Sequence, residues 1–576
     1  MGLARDLPAD LGDPLLNAWI LAWDATHLGR GWWSANIFFP HPLALAYSEH
    51  LLPQAISIWP IYAATRNPIL CYNLVFLATF VLSGLGMFLL ARELTGRADA
   101  AFVAGLAFAF APYRVASLPH VQVLSSAWMA FAIYGFRRYF VTGSRRALGG
   151  GAAAWLLQNL SCGYYLIFFS PIVIAYLAWE LATRRKAGPQ DFVRDVMLAC
   201  VAVAIATLPF LLPYLELRRQ GFDARGLAEV QRFSADVYAY LTADPNVRVW
   251  GSMARAFPRP EGALFPGLTV FVLAAIAARP PLAFAPFVAL LVPLLGWRTP
   301  IVRMTSVSRT LGWAAAACAM AIAASPHQRR RVASWLGSIR GLLTLVLVGA
   351  VVLSFGPDIR SHGRLVADWN VYAWLHDYVP GVDGLRASAR VAMIALFALS
   401  ALAAFAIRTR AAAIVAGALV VVESIAVPIP INQNDTAYRQ AHLAALPGRV
   451  STADARELYD FVASLPREAA IVELPLGEPA FDVRYMFAST RHWKRLVNGY
   501  SGGAPAEYEQ LDQNLQDALS RPDRAWASLA ATGATYAIVH EAGYTDGRGA
   551  AIRDWLRSRG AREVASFGAD RVLALR

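Results

Sequence analysis

Between residues 71 and 428 the chain is a near-continuous series of apolar runs, and nothing else in it constrains the fold as strongly. Runs that span or nearly span a bilayer are read at 71–91, 100–112, 123–139, 152–182, 197–215, 263–278, 282–297, 310–324, 341–355, 391–407 and 411–428. The run at 152–182 is interrupted by Ser161-Cys162-Gly163 and reads as two helices. The expectation is a mainly α, polytopic transmembrane helical bundle of about twelve spans, several of them short. Composition agrees: 57% of residues are hydrophobic and 16% charged, against roughly a quarter charged in soluble domains. The 17 Trp, 21 Tyr and 29 Phe fit interfacial aromatic belts.

The net charge of +13 would suggest nucleic acid in a soluble protein. Here the arginines sit in short linkers between apolar runs, so the positive-inside rule accounts for them and a nucleic-acid partner is not expected. Arg92/Arg97, Arg137/Arg138/Arg145/Arg146, Arg184/Arg185/Lys186, Arg279, Arg329/Arg330/Arg331 and Arg408/Arg410 all fall on one side, the cytoplasmic one by that rule. The short Arg298/Arg303/Arg309 connection violates it. The opposite, external side receives residues 1–68, the loops 216–262 and 357–390, and everything after Pro428. No signal peptide is read at the start. An external N-terminus without a helix before it leaves two readings, a missing upstream helix, which is favoured, and a short segment that crosses unaided. The four cysteines show no CxxC and no clustered histidine, which argues against a disulfide framework or a zinc site.

Past Pro428 hydropathy falls and charges become frequent. Helices are expected at 452–465, 524–532 and 549–559, and strands at 470–474, 536–540 and 571–575. Three regions result: an external first loop with amphipathic helices (1–68), the helical body (69–428) and an external α/β domain (429–576).

The candidate chemistry begins at Gly12-Asp13-Pro14. Asp13 reads as an N-cap and Pro14 as N1 of a helix to about Leu28. Asp13, Asn17, Asp24 and His27 share a face, beside an apolar stripe of Leu15, Leu16, Trp19 and Trp23, so the helix is expected to lie along the membrane surface. Asp13 and Asp24 are separated by roughly 16 Å of helix, too far to act on one atom. Asp13 is therefore the primary acid and Asp24 secondary. Glu49 and His50 are adjacent residues able to contact a metal or a phosphate. His120 sits at the outer end of a run, where an ionisable group is costly. Arg386 and Arg390, four apart, suit a phosphate if they share a helix face, although snorkelling to lipid headgroups is the competing role.

These segments together resemble bacterial GT-C-type membrane glycosyltransferases, the broad class of the protein O-mannosyltransferases and lipid A aminoarabinose transferases. The resemblance rests on Gly12-Asp13-Pro14 with its aromatic helix, Phe38-Phe39-Pro40, Ser48-Glu49-His50, Ala111-Pro112-Tyr113-Arg114 with His120 and Gln122, and Leu385-Arg386 with Arg390. Ile471-Val472-Glu473-Leu474-Pro475, His492-Trp493-Lys494 and Val497-Asn498-Gly499-Tyr500-Ser501 extend it into the tail. It implies a multi-pass protein of the bacterial cytoplasmic membrane with its C-terminal domain on the periplasmic side. It also implies hexosyl or pentosyl transfer from a polyprenyl-phosphate sugar to a glycan, lipid or protein acceptor. In the class an acidic residue of the first external loop is catalytic, which maps onto Asp13, and outer basic residues bind the carrier phosphate, which maps onto Arg386 and Arg390. Some members use a divalent metal such as Mg or Mn and others do not. Two other readings stay open at this point: a lipid or solute transporter or flippase, and a non-catalytic membrane scaffold.

Overall fold

A computed structural model describes residues 2–183, 191–222, 225–289, 307–434, 437–451 and 453–575. The Arg184/Arg185/Lys186 linker, the second half of the 282–297 run, and Arg298 and Arg303 lie outside the described residues.

The fold is mainly helical, with apolar helices suited to a multi-pass membrane protein. By length and composition five described helices can cross a bilayer: Pro68–Thr95, Ala98–Ala116, Gly163–Thr183, Asp191–Arg219 and Ser388–Ala406. A sixth is gained if Pro326–Leu336 and Ile339–Ser354, bent by 79°, count as one span. Several of the other expected runs form shorter helices. The 123–139 run divides into Val121–Leu124, a turn at Ser125-Ser126, and the 16-residue helix Ala127–Thr142. The 411–428 run yields a 14-residue helix ending at Glu423. The break expected at Ser161-Cys162-Gly163 is present, with Cys162 extended between the helices Arg145–Ser161 and Gly163–Thr183.

Outward-facing side chains such as Val81, Ile205, Leu198 and Ile414 are exposed, as a lipid-facing surface requires. Ser388–Ala406 is the central helix, 89% buried. Small residues let neighbouring helices meet. A Cβ on Gly135 would stand 2.5 Å from the Gly151 nitrogen, and one on Gly105 would stand 2.8 Å from the Gly84 carbonyl.

Helix α1 (Asp13–His27) departs from expectation. Rather than lying on a membrane surface, it is buried from Pro14 through Asp24. Its apolar residues surround most of the circumference, and its polar ones find protein partners instead of water. Asn17 donates to Gln122 Oε1 (3.3 Å), and Asp24 accepts from Trp32 Nε1 (2.7 Å). Helix α2 (Leu52–Thr65) follows, exposing Ile56 and Trp59.

The C-terminal region is built on a five-stranded sheet, β4-β3-β5-β7-β6, with β3 Ala470–Leu474, β4 Arg495–Leu496, β5 Tyr536–His540, β6 Arg562–Phe567 and β7 Asp570–Ala574. A small hairpin, β1 (Ile359–Ser361) and β2 (Arg364–Ala367), lies earlier in the chain. β3 is parallel to β4 and β5, and β7 is antiparallel to β5 and β6. All five residues of β3 are buried, as a central parallel strand demands. The expected elements form as Arg456–Ser464, Pro522–Ala531, Arg548–Ser558 and strands β3, β5 and β7. Helices Pro479–Ser489 and Ala506–Gln516, and strands β4 and β6, have no counterpart in the sequence reading.

The N-terminal residues are stitched onto this region. Residues 36–39 extend the sheet edge beyond β4 through Leu496 N to Asn36 O (2.7 Å), Phe39 N to Leu496 O (3.0 Å) and Phe38 N to Asn498 O (3.2 Å). Phe38 is 1% exposed, and a Cβ on Gly499 would come within 2.4 Å of its ring. Gly499→Ala should therefore cost about 1–3 kcal/mol through overpacking. The check is the thermal midpoint in detergent: a clear drop is expected, and an unchanged midpoint would mean the contact is slack.

Candidate functional site

One cavity of about 600 Å³ collects residues from five distant segments. Asp13 opens α1. Its N-cap is Gly12, and Asp13 makes no capping bond, so the side chain is not spent on the helix end as the N-cap reading assumed. It stays at a helix N-terminus, where a carboxylate is favoured by the dipole. Asp10, also on the cavity wall, accepts from Gly12 N at 2.8 Å.

His120 comes from the turn between the short helices Pro112–Ala116 and Val121–Leu124. That turn is held from beneath by Arg114, which is fully buried and donates to Leu124 O (3.0 Å) and Ser126 Oγ (3.0 Å). Glu261 comes from a turn in Pro258-Arg259-Pro260-Glu261-Gly262, with φ at +55°. Arg386 and Arg390 lie at the start of the central helix, and Tyr500 follows β4.

Carboxylates alternate with imidazole and guanidinium. His120 Nε2 lies 3.3 Å from Asp13 Oδ2 and 3.8 Å from Glu261 Oε1. Arg390 closes on Glu261 with Nη2 at 2.5 Å and Nε at 3.0 Å. Tyr500 donates its hydroxyl to Asp13 Oδ1 at 3.0 Å. Burial pushes the Asp13 carboxyl up, but the hydrogen bond and charge of His120, with Arg390 and Tyr500 behind them, more than offset it and hold it at about 2. Glu261 behaves alike: burial raises it, and Arg390 and His120 bring it down to about 2. Both acids are therefore ionised at neutral pH. Arg386 sits over the Phe233 ring at 4.8 Å and makes no ion pair among the described residues. Arg255 and Arg259 add basic character to the same wall.

Thus Asp13, His120, Arg386 and Arg390 meet in one cavity, while three other candidates do not. Asp24 is buried away from it against Trp32, and burial pushes its pKa well up. Glu49 is half-buried and accepts from Gly163 N at 2.8 Å, anchoring the start of Gly163–Thr183. His50 lies among Trp32, Trp33 and Phe210, where burial pulls its pKa to about 4. None of the three lines the cavity. Arg386 and Arg390 do not share a helix face either: Arg386 precedes the 3₁₀ turn Ser388–Val391 that contains Arg390.

Glu261, Asp10, Arg255 and Arg259 were not among the sequence candidates. An acid in a proline-flanked turn just before an apolar run was the signal for Glu261. Asp13 and Glu261 already face imidazole and guanidinium, and among the described residues no group of three or more His, Cys, Asp or Glu side chains is placed to hold an ion.

A depressed carboxyl keeps its pairing above its ordinary pKa of 3.8 and loses it as pH falls towards about 2, so the Asp13–His120 contact should persist from neutral pH down to about 4. In His120→Ala the Asp13 titration should move upward, read by carboxyl-labelled aspartate NMR or infrared difference spectra. An unmoved midpoint would show that His120 does not set it.

No family model matches the chain, and no curated protein matches it in sequence. Solved structures are similar. ArnT from Cupriavidus metallidurans bound to undecaprenyl phosphate aligns over 100% of this chain and 95% of its own, at 14% identity and TM-score 0.40. The same protein in the apo state aligns over 99% and 94%, at 13% and 0.38. An Archaeoglobus fulgidus oligosaccharyltransferase in complex with Zn and sulfate aligns over 92% of this chain and 64% of its own, at 16% and 0.41.

Proposed function

We propose that the chain is a multi-pass membrane glycosyltransferase of the GT-C type, which moves a hexosyl or pentosyl group from a polyprenyl-phosphate carrier to an acceptor hydroxyl. The supporting observation is the convergence of Asp13, His120, Glu261, Arg386 and Arg390 on one cavity between the apolar helices and the C-terminal α/β region. On this reading the cavity opens on the external face of the cytoplasmic membrane, and the charge bias of the linkers supports that side. On this reading residues 1–68 and 429–576 together cover the external face, and 69–428 form the membrane body.

The chemistry is a displacement at the anomeric carbon. The acceptor oxygen bonds to that carbon, the bond to the phosphate oxygen breaks, and polyprenyl phosphate leaves carrying the electron pair. Arg386, whose cation has no carboxylate partner among the described residues, meets the leaving phosphate. Arg390 is neutralised by Glu261, and it holds that acid and His120 in place. Asp13 accepts the acceptor's hydroxyl proton. Its depressed pKa makes it a weak base. That suits a loose transition state with a good leaving group, where the proton departs late and the carboxylate also stabilises positive charge on the sugar. No step requires a metal.

In membranes supplied with radiolabelled polyprenyl-phosphate sugar, Asp13→Asn should lower transfer by at least about 10²-fold while donor binding changes little. Arg386→Ala should raise the donor KM by about tenfold or more. Unchanged transfer in Asp13→Asn would reject the assignment.

A further inference from the structure

The cavity around Asp13 draws its wall from the N-terminal segment and the loops between membrane helices. Among the described residues lining it, Tyr500 alone comes from beyond residue 390. Its hydroxyl donates to Asp13 Oδ1 at 3.0 Å and stands 3.8 Å from where a Cβ on Gly12 would be. The phenol therefore closes over the turn that starts α1.

The chain leading to it is firmly held. β4 is two residues long, so Glu473, further along β3, has no β4 residue opposite it. Asn498 supplies the missing partner from its side chain, which is fully buried. Its Oδ1 accepts from Glu473 N at 2.7 Å, and its Nδ2 donates to Glu473 O and to Asp482 Oδ1, each at 2.8 Å. A side-chain amide carries the donor and acceptor of a peptide group, so it can continue a strand ladder. Asp482 is fixed in turn by Tyr508 Oη at 2.5 Å and Gly477 N at 3.0 Å. Gly499 then lies against the Phe38 ring. Both residues before Tyr500 are thus pinned, and the phenol is delivered from a fixed backbone.

Asp13 has need of such a partner. It makes no capping bond, and the torsion that turns a carboxylate is broad and two-fold. His120 Nε2, 3.3 Å from Oδ2, restrains one oxygen. Tyr500 restrains the other, and donors on both oxygens fix the plane. Tyr500 keeps its proton for this task, because the Asp13 charge and then burial push its pKa well above the ordinary phenol range.

We propose that Tyr500 is a positioning residue for the transfer: it holds the Asp13 carboxylate in the plane that meets the acceptor hydroxyl, so the α/β region completes the site. This rests on the reading of Asp13 as the reacting acid. Tyr500 acts through Asp13 and takes no proton itself.

Tyr500→Phe in the full-length protein tests this, since it removes the oxygen and keeps the ring. The first measurement needs no substrate. The Asp13 carboxylate bands at neutral pH, assigned in infrared spectra by difference from Asp13→Asn, should shift in Tyr500→Phe, while the thermal midpoint in detergent stays within about 2 °C. The second is transfer in membranes from radiolabelled undecaprenyl-phosphate arabinose and undecaprenyl-phosphate glucose, a pentosyl and a hexosyl donor. There kcat should fall by at least about tenfold and the donor KM change by less than about twofold. Unshifted bands overturn the proposal, and so do shifted bands with an unchanged kcat. A raised KM at unchanged kcat also overturns it, because that marks the phenol as a substrate contact. If the wild-type protein transfers neither sugar, it is the transfer reading that fails, and the infrared bands alone then decide whether Tyr500 holds Asp13.

Discussion

The burial of α1 is the constraint on which the rest of the structure depends. A helix carrying Asp13, Asn17 and Asp24 would ordinarily turn that face to water. Here Gln122 and Trp32 supply the partners water would have supplied, and the apolar residues pack against the membrane helices on one side and the sheet region on the other. Because it is clamped from both sides, its first residue is fixed in one cavity and its last turn meets Trp493. The helix also ties the two halves of the molecule together. Residues 7–11 pair with 430–433 before it, and residues 36–39 join the sheet edge after it.

The charges around Asp13 follow a separate logic. Taking ions out of water is expensive, and their mutual attraction repays that only when each charge has a close opposite. The sequence of contacts Asp13, His120, Glu261, Arg390 meets this condition by setting each carboxylate against an imidazole or a guanidinium. Such a chain contributes little net stability, but it orients each member, because moving one exposes the next. Arg114 works on the same principle one layer down. Its guanidinium is fully buried, and it pays for that burial by gripping the backbone and the serine that shape the His120 turn.

Parts of this were legible in the sequence for local reasons. Strands β3 and β5 follow from short β-branched runs ended by turn residues, and the helix break at Cys162 follows from the small polar residues around it. Asp13, His120, Arg386 and Arg390 stood out because charged groups beside long apolar runs are rare. The same rule also flagged Glu49 and His50, which the structure uses to anchor Gly163 and to fill an aromatic pocket. Nothing local separates the two groups, since burial and partner depend on what the chain brings up from elsewhere.

What the sequence determined by itself is the medium and the element types. Apolar run length and linker charge specify a helical membrane body, and the change in composition after Pro428 specifies an α/β region, because hydrophobicity and turn chemistry act over a few residues. What only the tertiary structure decided is which polar groups meet. Tyr500 reaches Asp13 across 487 positions and Arg390 reaches Glu261 across 129. Contacts at such separations leave no periodicity in the chain, since they arise from the packing of helices whose mutual register no short segment encodes.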